Sequence, residues 1–127
     1  MNKTIFVTAC FLGLVAVVLG AFGAHGLQKL VDAKAVTSFE TGVRYQMYHI
    51  FFLFVVGLLP SVNERIKCII FYLVIAGIAL FSFSIYLLAM NSLFEFDFRA
   101  IAFITPIGGA LLITAWGVFG YSIFKGK

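Results

Sequence analysis

TIFVTACFLGLVAVVLGAFGA, residues 4–24, runs for twenty-one residues without a charge. A helix rises about 1.5 Å per residue, so about 20 mostly apolar residues cross the roughly 30 Å hydrocarbon core of a bilayer. The stretch is long enough to be such a helix. It also carries Ala9, Gly13, Ala16, Gly20 and Gly23 at three- and four-residue spacing, a seam along which another helix backbone can approach. Lys3 and Gly23-Ala24 have the character of a secretory signal's basic flank and cleavage site, but the length of the run favours a retained span.

Three further stretches, about 40–60, 68–90 and 100–124, read the same way. The first of them is uncharged from Tyr45 to Val62 when His49 is neutral, and the other two contain no charge at all. Composition agrees with this pattern. The 127 residues are 63% hydrophobic and 11% charged, where an ordinary soluble domain carries about 25% charged residues. A soluble monomer, a disordered segment and a basic nucleic-acid module are excluded, and no nucleic-acid partner is expected. The formal charge of +4 is spread so that Lys and Arg never cluster beyond a pair. Cys10 and Cys68 fall in or beside apolar runs, without the Cys or His spacing of a zinc site. The expected fold is all-α: one domain, residues 1–127, an integral membrane bundle of four transmembrane helices.

The joints refine that picture. From His25 to Arg44, the residues Leu27, Leu30, Val31, Ala35, Phe39 and Val43 form an apolar stripe, with Lys29, Asp32 and Lys34 off it. This predicts a short interfacial helix between the first and second spans. Thr37-Ser38-Phe39-Glu40 then has the form of a capping box, placing the start of the second span near Ser38 and its end at Pro60. Asn91 to Arg99 alternates Phe94, Phe96 and Phe98 with charges, which reads as an aromatic anchor at the membrane surface because an open strand edge in lipid is costly. Lys3, Arg65, Lys67, Lys125 and Lys127 fall on one side, while Lys29, Lys34, Arg44 and Arg99 are mixed with acids on the other. The bias predicts that both ends lie on the inner side of the membrane.

Candidate packing positions are Gly13, Gly20 and Gly23 in the first span and Gly108, Gly109 and Gly117 in the fourth, joined by Ala110 and Gly120. Ala76, Ala79, Ser82 and Ala89 form a corresponding strip in the third. Such seams serve either a compact bundle or a homodimer face.

Ionisable and polar groups inside a membrane are costly and therefore candidates for function. Here they gather as His25, Glu40, Arg44, Tyr45, Gln46, Tyr48 and His49, with Ser84, Tyr86 and Thr105 from the third and fourth spans. Three readings are open. In the first, His25 caps a helix, Gly26 supplies a left-handed turn, and Arg44, Gln46 and His49 tie helices together. In the second, Glu40, Arg44 and His49 line a proton or small-solute path. In the third, His25 and His49, with Met47 or Glu40, bind a metal or haem, although no third strong ligand or haem-attachment motif is evident. No catalytic constellation or nucleotide loop is present in the sequence.

Gly20-Ala21-Phe22-Gly23-Ala24-His25-Gly26-Leu27, Tyr45-Gln46-Met47-Tyr48-His49, Phe81-Ser82-Phe83-Ser84-Ile85-Tyr86 and Thr105-Pro106-Ile107-Gly108-Gly109 occur in that order. Together they resemble domain-of-unknown-function family 423, the transmembrane protein 256-like family, over nearly the whole chain. The resemblance implies a four-helix membrane protein, in the inner membrane of bacteria or an organelle membrane of eukaryotes, and no established reaction. Phe83 departs from the small residue of the family's pattern. The function expected is non-enzymatic and cofactor-free, exercised through membrane lipids, a membrane-protein partner or self-association. A transporter or channel-like role for the polar cluster is the alternative.

Overall fold

The computed structural model describes residues 2–126. Among them are four long helices: α1 (Asn2–His25), α2 (Ala33–Leu58), α3 (Glu64–Ala89) and α4 (Ile104–Lys125). The remaining regular structure is three short 3-10 turns, Leu27–Lys29, Asn91–Leu93 and Phe98–Ile101, and the described residues contain no strand. Neighbouring helices are antiparallel. Gly23 meets Phe39 while Gly13 meets Ile50, Gly57 accepts a bond from Lys67 while Gly42 meets Tyr86, and Gly108 meets Phe81 while Gly77 meets Leu112. The result is an up-down-up-down bundle in which the principal contacts run from each helix to the next.

The helix starts are chemically marked. Asp32 Oδ1 accepts the Ala35 backbone N–H at 2.8 Å at the head of α2, and Asn63 Oδ1 accepts from Ile66 N at 2.9 Å at the head of α3. Pro60 lies just past the end of α2, where its ring cannot continue a helix.

The chemistry at Asp32 corrects two expectations. The Thr37–Glu40 stretch is not a capping box, because α2 has already begun at Ala33 and Thr37 Oγ1 bonds back to the Ala33 carbonyl at 3.1 Å. The apolar stripe is real, but it does not form a separate interfacial helix. Leu27 is buried in a 3-10 turn, Val36 and Phe39 are buried in the first turns of α2, and Leu30 is exposed. Leu27, Val36 and Phe39 form a small second core with Tyr86 and Ala89, and that core folds the stripe onto the bundle. Gly26 is not in a left-handed conformation: its φ is −92°, and no described residue has positive φ. Its small size is needed because a Cβ there would come within 3.0 Å of the Phe22 ring.

The main core fills the half of the bundle away from that second core, through Ala9 and Ala16 of α1, Leu53 of α2, Val74 of α3 and Ala115 of α4. Outward faces are equally apolar: Phe11, Leu14, Val17 and Val18 on α1 and Ile113 and Phe124 on α4 are all exposed. Such faces suit lipid and not water. Three segments, Asn2–Lys29, Glu64–Ala89 and Phe98–Lys125, are long and apolar enough to cross a membrane.

The small-residue seams are used unevenly. Ala9 and Ala16 are fully buried. A Cβ on Gly108 would lie 2.4 Å from Phe81 N and 2.6 Å from the Leu80 carbonyl carbon, so α3 and α4 touch backbone to backbone there. Gly23 is less tight, at 3.0 Å from the Phe39 ring, and Gly13, Gly20 and Gly109 have only ordinary contacts. Gly117, expected as a packing residue, has nothing within 4 Å, and neither has Gly120. In α3, Ala76 and Ala79 face outward, and the close approach falls instead on Gly77.

Candidate functional site

The polar side chains that pack inward lie on α2 and the helix faces around it. Gln46 is fully buried at the centre. Its Nε2 donates to the Leu12 carbonyl of α1 at 2.8 Å, and its Oε1 accepts from Tyr86 Oη of α3 at 2.6 Å. One amide thus ties three helices together. A turn towards the head of α2, Ser82 Oγ of α3 donates to the Gly42 carbonyl at 2.8 Å. The absence of a side chain on Gly42 makes room for the Tyr86 ring, which would lie 2.7 Å from a Cβ.

His49 continues the series towards α4. Its Nδ1 is 2.7 Å from the Tyr45 carbonyl, and Trp116 Nε1 is 3.0 Å from its Nε2. An indole nitrogen can only donate, so Nε2 is the unprotonated acceptor and Nδ1–H is the donor to Tyr45. His49 is therefore held as one neutral tautomer with both nitrogens engaged. Phe52 stacks on Trp116 at 4.2 Å between ring centroids and shields the pair. On the far side of α3, Ser84 Oγ lies 2.9 Å from the Phe81 carbonyl and 2.6 Å from Thr105 Oγ1. A serine has one hydroxyl proton, so with that proton on Phe81 the Thr105 hydroxyl donates to Ser84 and joins α3 to α4.

The structure brings Gln46, His49, Ser84, Tyr86 and Thr105 into helix-to-helix bonds and leaves the other candidates out. His25, Glu40, Arg44, Tyr45 and Tyr48 are exposed, although Tyr45 packs against Tyr48 and Phe81. Arg44 therefore does not join Gln46 and His49 in tying helices. The reason is helical phase: Gly42, Gln46 and His49 follow the buried stripe of α2, and the charged residues fall on other faces. His25 lies level with the Thr37 turn of α2, and at about 1.5 Å per residue His49 is roughly 18 Å further along the axis. The two histidines cannot share a metal or haem, and among the described residues no group of three His, Cys, Asp or Glu could hold a metal ion.

Two participants were not marked as such by the sequence. Trp116 looks like an ordinary apolar span residue until its N–H is matched to His49. Lys67 looks like a flanking charge, yet it is 3% exposed, and its Nζ donates to Asn2 Oδ1 at 3.0 Å and to the Gly57 carbonyl at 3.1 Å. It thereby satisfies a carbonyl in the last turn of α2 and clamps the start of α1 beside it. Among the described residues every buried side-chain nitrogen and oxygen has a partner.

Gln46, His49, Ser84, Tyr86 and Thr105 all lie in the part of the chain that a family model matches, while Leu12 and Trp116, which bond to Gln46 and His49, lie outside it. The model of the family described as protein of unknown function DUF423 matches residues 19–109. The chain belongs to this family. Its DUF423 relatives include a UPF0382 membrane protein of Haemophilus influenzae, 37% identical over 91% of this chain and 89% of its own. YwdK of Bacillus subtilis, also a UPF0382 membrane protein, is 38% identical over 90% of each chain. The UPF0382 inner membrane protein YgdD of Escherichia coli is 33% identical over 92% of this chain and 86% of its own. No solved structure matches. As a DUF423 member the chain is a membrane protein of an uncharacterised family, and all four of the quoted sequence motifs fall within the matched region.

Proposed function

We propose that this DUF423 protein spans the bacterial inner membrane four times, with both ends inside, and works without catalysis by associating within the bilayer with a second membrane-embedded helix. The fourth span is α2. Only tight joints connect it to α1 and α3, it packs antiparallel along both, and its 26 residues extend about 39 Å. If its neighbours cross the membrane, α2 crosses with them. Its lower hydropathy reflects the inward polar stripe of Gln46 and His49 and the charges in its first turns.

The observation that carries the association reading is the contrast between a sealed interior and an unfilled face. The second half of α4 and the start of α3 border an apolar groove of about 940 Å³, lined by Ile66, Ile113, Gly117 and Tyr121 among others. Gly117 and Gly120 keep that stretch of helix free of side chains, the property that lets a partner backbone come close. A solute path has less support, because Gln46, His49 and Tyr86 spend their polar atoms on one another, on Trp116 and on backbone carbonyls.

The test is cysteine crosslinking in native membranes. Full-length chain carrying C10S, C68S and G117C is expected to crosslink to itself or to one discrete membrane partner, while cysteine at Val17, exposed on α1, does not. A strict monomer from both positions overturns the association reading. Reporter fusions to the joint at residues 59–63 and to the C-terminus are expected on the same side, and opposite sides would refute the four-span topology.

A further inference from the structure

Opposite the groove, at the end of the bundle where α2 begins, lies a second open region of the surface. The first turns of α2, the last turns of α3 and the Phe98–Ile101 turn enclose a cleft of about 660 Å³. A second cleft of about 340 Å³ shares Asp32, Ala35, Leu88, Ala89 and Arg99 with it, so the two form one furrow. One wall is apolar, built by Ile85, Leu88 and Ala89 of α3. The rim is charged, with Asp32 and Lys34 on α2 and Arg99 on the Phe98–Ile101 turn, all three exposed.

Two of these charges are held in place. Asp32 accepts the Ala35 N–H through Oδ1 and keeps Oδ2 for another donor. Arg99 gives Nε and Nη2 to Asp97, each at 3.0 Å, and Asn91 Nδ2 steadies Asp97 at 3.2 Å. That fork leaves the Nη1 side of Arg99 available. Because Asp97 offsets Arg99, the rim as a whole is close to neutral and carries both signs. A site for a soluble anion has no need of the apolar wall, and a site for an acyl chain alone has no need of the rim.

We propose that the furrow binds the headgroup of a zwitterionic phospholipid with a primary amine, of the phosphatidylethanolamine type. The phosphodiester lies against Lys34 and Arg99, where charge-assisted bonds favour it, and the positive end of the α2 dipole adds to that attraction. The ammonium donates to Asp32, which a quaternary amine cannot do. The first methylenes of the acyl chains follow Ile85 and Leu88. Phe94 and Phe96, exposed in the joint between α3 and the Phe98–Ile101 turn, place this end of the bundle at headgroup depth.

The test uses purified, delipidated full-length protein in detergent, titrated with dioctanoyl phosphatidylethanolamine, dioctanoyl phosphatidylglycerol, dioctanoylglycerol and soluble phosphoethanolamine, with bound species read by native mass spectrometry. Phosphatidylethanolamine is expected to bind tightest, at one copy per chain, with dioctanoylglycerol and phosphoethanolamine both at least about tenfold weaker, the factor that one charge-assisted bond supplies. K34Q and R99Q should each weaken both phospholipids by about that factor. D32N, which keeps the helix cap, should abolish only the preference for the ethanolamine head. If R99Q loses its helical signal, K34Q and D32N carry the test. Equal binding of dioctanoylglycerol, or phospholipid binding unchanged in K34Q, overturns the proposal. So does an ethanolamine preference that survives D32N. Phosphoethanolamine binding as tightly as the lipid would reassign the furrow to a soluble phosphoester.

Discussion

Replacing Gly108 by Ala adds one methyl group at the closest approach in the bundle. That carbon would sit 2.4 Å from Phe81 N, 2.6 Å from the Leu80 carbonyl carbon and 2.9 Å from Leu80 Cβ. Carbon atoms pack at about 3.5–4.0 Å, and the obstacle here is backbone, which cannot rotate away. Helix α4 must therefore retreat from α3 by about 1 Å. Overpacking of this kind costs about 1–3 kcal/mol. The retreat also stretches the Ser84–Thr105 bond, one turn away, from 2.6 Å to about 3.6 Å, beyond hydrogen-bonding range. Losing that bond adds about 1 kcal/mol, so the expected destabilisation is about 2–4 kcal/mol. Gly109→Ala and Gly117→Ala are the controls. The first would meet the Phe81 ring at an ordinary 3.5 Å, and the second would meet nothing within 4 Å. Neither should be destabilised, and each can gain up to about 1 kcal/mol from the better helix propensity of Ala. Reversible unfolding of the full chain in dilute mixed micelles, followed by helical circular dichroism, measures all three. A G108A midpoint indistinguishable from those of the two controls would refute the claim that backbone contact at this glycine sets the α3–α4 distance.

Three further outcomes follow from the bonds around α2 and the charged turn. A double-mutant cycle of Gln46→Leu and Tyr86→Phe should give a coupling of about 0.6–1.7 kcal/mol, the range for hydrogen bonds between membrane helices, and additive effects would mean that the 2.6 Å bond contributes nothing. Nitrogen chemical shifts of ¹⁵N-labelled His49 should report the Nδ1–H tautomer, and Trp116→Phe should release it; an Nε2–H signal in the parent would contradict the Trp116 donor. The Arg99 guanidinium holds the Asp97 carboxyl down at about 2 from its ordinary 3.8, so the turn's support is complete above about pH 4 and fades as pH falls through about 2. Amide exchange in the Phe98–Ile101 turn should speed up across that window, and D97N, which removes the titrating group, should show no such acid-induced step.

The membrane habit, the four helices and the presence of a few costly polar residues were all legible in the sequence, because each depends on residue type and local spacing. Three- and four-residue spacing also pointed to glycines on packing faces. What spacing does not carry is helical phase relative to a neighbour. That phase is set by how three other helices fit around α2, and it separates Gln46 and His49, which turn inward, from Arg44 and Glu40, which turn out. The same limit explains why Gly108 proved critical and Gly117 open, and why Trp116 and Lys67 went unmarked: a donor takes its meaning from an acceptor more than sixty residues away. Lipid solvation can be read one residue at a time. The pairing of buried donors with acceptors is a property of the whole bundle, since each bond exists only once two helices have met at a particular rotation and depth.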